Sequence, residues 1–132
     1  MKIINPATEE IICDLKEDTK ESVQQKFQLL RSSQPLWKDV NLSERVKIIR
    51  KYSDLLKEHI EPLAAILTSE VGKPLQQSRN EVNGAQTRIK WLVDNAEKYL
   101  SDEVMTKEEN LTERISYEPL GVICNISAWT YP

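Results

Sequence analysis

The 132-residue sequence predicts an α+β fold: an N-terminal β-hairpin, three to four helices and two C-terminal strands. Three observations predict it. Short apolar runs flank a turn at the N-terminus, capping-box spacings open helical stripes in the middle, and β-branched and apolar residues crowd the last quarter.

Ile3-Ile4 and Ile11-Ile12-Cys13 enclose Asn5-Pro-Ala-Thr-Glu-Glu10, the turn formers expected inside a hairpin. Asp18-Thr-Lys-Glu21 has the spacing of a capping box, in which the first side chain accepts from an orphan amide while the fourth reaches back. The helix it opens carries Val23, Phe27, Leu30 and Gln34 on one stripe and is expected to stop near Ser33, ahead of Pro35. Trp37 then falls in a connector, as a lid over a helix junction.

Asn41-Leu-Ser-Glu44 repeats the box and begins a second helix with Val46, Ile49, Tyr52, Leu55 and Leu56 apolar and a charged, solvated face. Pro62 suits the first turn of a third helix built on Leu63, Ile66 and Leu67, where a missing amide is harmless. Gly72 and Pro74 end it, so Glu70-Val-Gly-Lys-Pro74 reads as a helix stop, with no phosphate-loop signal at Lys73. From Leu75 to about Leu100, Val82, Ala85, Ile89, Leu92, Val93 and Ala96 keep helical spacing, Gly84 is the weak point, and Trp91 and Tyr99 widen the stripe. A loop is expected around Glu108 to Asn110, then an exposed strand from Thr112 to Tyr117 and a buried strand from Gly121 to Ile126.

Composition excludes several function classes. At 39% hydrophobic and 30% charged the chain is neither wholly disordered nor membrane-spanning, and its length permits a core. A net charge of −3 with interspersed signs offers no basic face for nucleic acid. One histidine, His59, and two distant cysteines cannot build a structural zinc site, so no metal is expected. Cys13 and Cys124 read as small buried hydrophobes rather than nucleophiles. The opening Met-Lys-Ile-Ile-Asn-Pro turns before any apolar signal region develops, which gives a cytoplasmic expectation.

Chemistry is hinted at only in the last sixteen residues. A buried strand that ends in Ser-Ala-Trp-Thr-Tyr-Pro132 would place a small-residue bend beyond a strand's carboxyl end, where open α/β sheets bind ligands. The words Tyr117-Glu-Pro-Leu-Gly-Val and Asn125-Ile-Ser-Ala-Trp-Thr-Tyr-Pro closely resemble the NAD(P)-dependent aldehyde dehydrogenase superfamily. Asn5-Pro-Ala-Thr8, Trp37, Glu44-Arg45, Glu70-Val-Gly-Lys-Pro74 and Glu81-Val82 add further landmarks in the family's order. The resemblance covers all 132 residues of the chain, whereas members of that family are several times longer.

The resemblance implies the N-terminal part of an α/β, Rossmann-like cofactor domain. It assigns hairpin and helices to 1–103, an oligomerisation-type ribbon to about 104–117, and a strand into the nicotinamide site to 118–132. It implies NAD or NADP as cofactor, an aldehyde as substrate and a homo-oligomer. The reaction would be thiolate attack, hydride transfer and thioester hydrolysis. Ile126, Ser127, Ala128 and Trp129 match the family's cofactor wall, where small side chains let backbone approach a ligand.

Position 130 departs from the pattern. The family ordinarily has an asparagine there, donating to the oxyanion, and this chain has Thr130, whose single proton is easily diverted to backbone. The family's glycine-bearing cofactor loop, catalytic glutamate and nucleophilic cysteine would lie beyond Pro132, so the chain alone is expected to be catalytically incompetent. One alternative is a non-catalytic interaction protein that pairs with a full-length relative through its exposed ribbon. Another is a remnant with no selected role.

Overall fold

The computed structural model describes residues 1–127. Strands β1 (Lys2–Ile4) and β2 (Ile11–Asp14) form an antiparallel pair, followed by helices α1 (Lys20–Lys38), α2 (Leu42–Glu58), α3 (Ile60–Val71) and α4 (Leu75–Leu100). A second antiparallel ribbon, β3 (Glu103–Lys107) and β4 (Thr112–Ile115), closes the described order. The α+β expectation holds, and α4 begins and ends where its stripe predicts.

The first hairpin has the expected strands. Ile3 lies opposite Cys13, and a bulge precedes the pairing of Ile4 with Ile11. Its turn is held by Asn5, whose side-chain oxygen accepts from the Ala7 amide at 2.9 Å while its carbonyl accepts from the Glu9 amide at 2.8 Å.

Helix α1 departs from expectation at both ends. Its N-cap is Thr19 rather than Asp18: the Thr19 hydroxyl accepts from the Ser22 amide at 3.2 Å, and Ser22 Oγ accepts from the Thr19 amide at 2.9 Å. The box is therefore Thr19 to Ser22, one residue later, because a serine can reach back as well as a glutamate. Asp18 instead receives the Ser22 hydroxyl and the Lys26 ammonium. At the other end the helix runs through Pro35 to Lys38 and takes Trp37 out of the connector. Proline forfeits one ladder bond but holds a helical φ, and the Asp39 amide closes the following turn on the Pro35 carbonyl at 3.2 Å.

Helix α2 starts as expected, but its box does not form. Asn41 makes no side-chain cap, and the Glu44 amide donates to the Asn41 carbonyl at 3.0 Å instead. Glu44 pairs with Lys47 at 2.6 Å, so its carboxylate is already engaged. Pro62 lies in the first turn of α3, and Gly72 ends that helix with φ at 77°, the left-handed conformation glycine supplies without strain.

Helix α4 is the spine, packing against both α2 and α3. Ala64 of α3 and Ser78 of α4 are fully buried and Val93 nearly so, which places the core along α4. Trp91 and Tyr99 stack with centroids 6.1 Å apart, yet both remain exposed. The self-sufficient core that the length permits is not formed: Val23, Phe27 and Leu30 on α1 and Ile48, Ile49 and Tyr52 on α2 stay open to solvent. Each helix presents more apolar face than the neighbours in this chain cover.

Two strand expectations change. β4 ends at Ile115 rather than Tyr117, because Ile115 pairs with Glu103, the first residue of β3, leaving nothing further to pair with. The strand expected from Gly121 to Ile126 is absent: these residues carry no ladder, and both described sheets are closed two-stranded pairs. A buried strand needs hydrogen-bonding neighbours, and none is present among the described residues.

Candidate functional site

The stretch that carries the chemical hint is anchored at its start and free further on. At Tyr117 the hydroxyl donates to Glu103 Oε1 at 2.6 Å, bending the chain back along the ribbon. The adjacent carboxylate raises the Tyr117 pKa above its ordinary value. One residue later Glu118 Oε2 meets Lys38 Nζ at 2.6 Å, tying the segment to the end of α1. This ion pair lowers the Glu118 pKa and raises that of Lys38.

Beyond the clamp, Leu120, Gly121 and Val122 lie against Phe27, Arg31, Gln34 and Pro35 of α1 and enclose an open groove of about 350 Å³. The continuation of α1 through Pro35 makes one wall of it. Gly121 takes φ of 103°, where a side chain would be strained. The chain then emerges into solvent, with Leu120 92% and Ile126 90% exposed.

Of the positions expected to line a cofactor, Ile126 and Ser127 are described, and both are exposed. Asn125 Nδ2 donates to Ser127 Oγ at 3.3 Å. Ala128, Trp129 and Thr130 lie outside the described residues. Cys13 is half-buried in β2, whereas Cys124 is exposed, contrary to its expected burial, because no sheet encloses its segment. His59 sits at the junction of α2 and α3 with Nδ1 2.9 Å from the Leu55 carbonyl, a helix-end role. Among the described residues no group of three or more His, Cys, Asp or Glu could hold a metal ion, and no helix is long and apolar enough to cross a membrane.

The landmark residues meet in pairs that sequence spacing did not reveal. A Cβ placed on Gly72 would come within 2.8 Å of Pro6 Cγ, so the hairpin turn packs directly on the end of α3. Lys73 pairs with Glu81, at 15% and 21% side-chain exposure the most enclosed of the described ion pairs. The helix-stop reading of Gly72 holds, but it missed this pair, since residues eight apart across a helix start are outside the i,i+4 rule. Arg45 Nε and Gln86 Nε2 are buried donors with no partner among the described residues.

This arrangement is a front piece of an α/β protein: helices and hairpins that position a terminal segment but hold no complete reaction centre. The chain belongs to the aldehyde dehydrogenase family, whose model matches residues 1–132. A succinate semialdehyde dehydrogenase of Acinetobacter baylyi is 28% identical over 98% of this chain and 27% of its own length. A probable succinate-semialdehyde dehydrogenase [NADP(+)] of Synechocystis sp. is 32% identical, covering 98% of this chain and 28% of that protein. Among solved structures, a betaine aldehyde dehydrogenase from Staphylococcus aureus in complex with NAD+ superposes with a TM-score of 0.90 at 29% identity, over 100% of this chain and 27% of that one. The chain thus spans about a quarter of the length of the relatives it matches.

Proposed function

We propose that this chain is the N-terminal portion of an NAD(P)-dependent aldehyde dehydrogenase oxidising an aldehyde to a carboxylic acid, and that the 132 residues alone do not catalyse that reaction. The observation that carries the reading is the family match along the whole chain, from the hairpin turn to the terminal segment. Bound NAD or NADP would supply the hydride acceptor. In this reading the backbone of Ile126, Ser127, Ala128 and Trp129 forms one wall of the nicotinamide site, and Thr130 stands at the oxyanion-donor position. The exposed backbone at Ile126 and the small side chain of Ser127 suit a wall that a flat ring approaches. The Tyr117–Glu103 and Lys38–Glu118 contacts set where that wall starts.

The ribbon β3–β4 supports assembly into a homo-oligomer, since its strands pair only with each other and their outer edges are unpaired among the described residues. The same edges support a second reading, in which the short chain pairs with a full-length relative and has no catalytic role of its own. Titration calorimetry with NAD and with NADP separates a wall from a complete site. The isolated chain is expected to bind neither tightly, and a sub-micromolar Kd would contradict the proposal.

A further inference from the structure

Resting on the reading just given, we propose that this chain is one half of an obligate interface. Its occupant is the remaining three-quarters of an aldehyde dehydrogenase chain, which can be supplied as a separate polypeptide. The argument is one of area. A compact monomer of 15.3 kDa exposes about 7,100 Å². This chain exposes 11215 Å², an excess of roughly 4,000 Å² and several times the ~800 Å² per partner of a standard interface. Interfaces of that size are the large, apolar ones that obligate partners share.

The excess is apolar and spread over several elements. Leu29 and Leu36 on α1, Ile48 on α2, Leu92 on α4, Met105 on β3 and Ile123 in the terminal segment are each more than half exposed. A second copy related by a two-fold axis covers one self-complementary patch, which cannot reach all of these elements. A partner that wraps them must be larger than this chain, and the relatives carry about three times its length beyond the matched part. The run from Gly121 to Ile126 points the same way: it is strand-like in sequence, has no ladder here, and would find one on a partner that offers a sheet edge.

The test uses the 132-residue chain alone and together with the portion of the Staphylococcus aureus betaine aldehyde dehydrogenase that follows its matched quarter. Alone, the chain is expected to sediment as a broad distribution and to bind a hydrophobic dye. Co-expressed with the separate portion, it is expected to purify as a one-to-one complex with a sharp near-ultraviolet spectrum. Leu92→Asp and Ile123→Asp, both at exposed positions, should leave the isolated chain's far-ultraviolet spectrum unchanged and reduce recovery of the complex at least tenfold.

A compact, cooperatively unfolding monomer would overturn the proposal, as would a discrete homodimer with native near-ultraviolet signal, or failure of the two pieces to associate. Turnover reports separately on the catalytic reading. A one-to-one complex that binds cofactor but never oxidises an aldehyde sustains the interface and overturns the catalytic assignment.

Discussion

Thr68 Oγ1 and Ser78 Oγ meet at 2.8 Å between α3 and α4, with Ser78 fully buried. A buried hydroxyl without a partner costs about 1–3 kcal/mol. In a chimera that carries the rest of a relative after Pro132, Thr68→Val should therefore lower the opening free energy of the first turns of α4 by about that amount. Adding Ser78→Ala should return part of it, because the stranded hydroxyl is gone. Hydrogen exchange resolved to α4 is the measurement, and additive losses would contradict the pairing.

Two glycine substitutions should act in opposite directions. Gly72→Ala places a Cβ within 2.8 Å of Pro6 at φ of 77°, and left-handed backbone alone costs about 1–2 kcal/mol for a residue with a Cβ. Gly84 lies inside α4 with nothing within 4 Å of an added Cβ, so Gly84→Ala should favour the helix by about 0.5–1 kcal/mol. Thermal melts followed by circular dichroism on the isolated chain should show lower helix retention for the first variant and higher for the second.

Acid should loosen the helices before the helical sequence itself is at fault. Asp18 is held below its ordinary pKa by Lys26 and then Ser22, Glu61 by Arg79, Asp94 by Lys90 and then Arg50, and Glu118 by Lys38. A carboxyl whose folded pKa is depressed stabilises the fold above its unfolded pKa, and that contribution is lost as pH falls through the folded value. The α2–α4 and α3–α4 ties should thus weaken below the usual carboxylate range. The Lys38–Glu118 clamp should also fade at high pH, because the Lys38 pKa is raised and its contribution ends as pH passes the folded value. All of these groups are exposed, so the effects should be modest and should shrink in salt. Chemical shifts of the carboxyl carbons against pH would check the directions.

The sequence was most legible where one chain segment decides its own conformation. The α4 stripe and the left-handed Gly72 needed no tertiary knowledge, and both agree with the structure. Pro35 misled because a local rule about breaking helices ignores that one lost ladder bond is tolerable near a helix end. Ser78 was missed because a serine does not register in an apolar stripe, although it sits one turn before Val82 on the same face. The pairings Lys73 with Glu81 and Lys38 with Glu118 depend on how elements meet, which spacing does not encode. In the terminal segment the apolar pattern from Val122 to Ile126 speaks of a strand, but a strand exists only with neighbours to bond. Ile126 and Ser127 were named from resemblance alone, and Thr130 lies outside the described residues.

Thr130 gives a prediction that separates substitution from missing chain. With cofactor loop and nucleophile restored in the chimera, Thr130→Asn should raise kcat at least about tenfold, against the roughly 10²- to 10³-fold typical when one oxyanion donor is lost. KM and cofactor affinity should change little, since such a donor acts mainly in the transition state. Equal kcat in the two chimeras, together with equal single-turnover hydride transfer, would mean that Thr130 donates adequately.

The most direct test of the central claim is the steady-state formation of NADH or NADPH from a generic aliphatic aldehyde, measured for the 132-residue chain and for the chimera under the same conditions. The account predicts no turnover by the chain and measurable turnover by the chimera, rising with Thr130→Asn. Turnover by the isolated chain, or a folded and cofactor-binding chimera inactive with either residue at position 130, would contradict it.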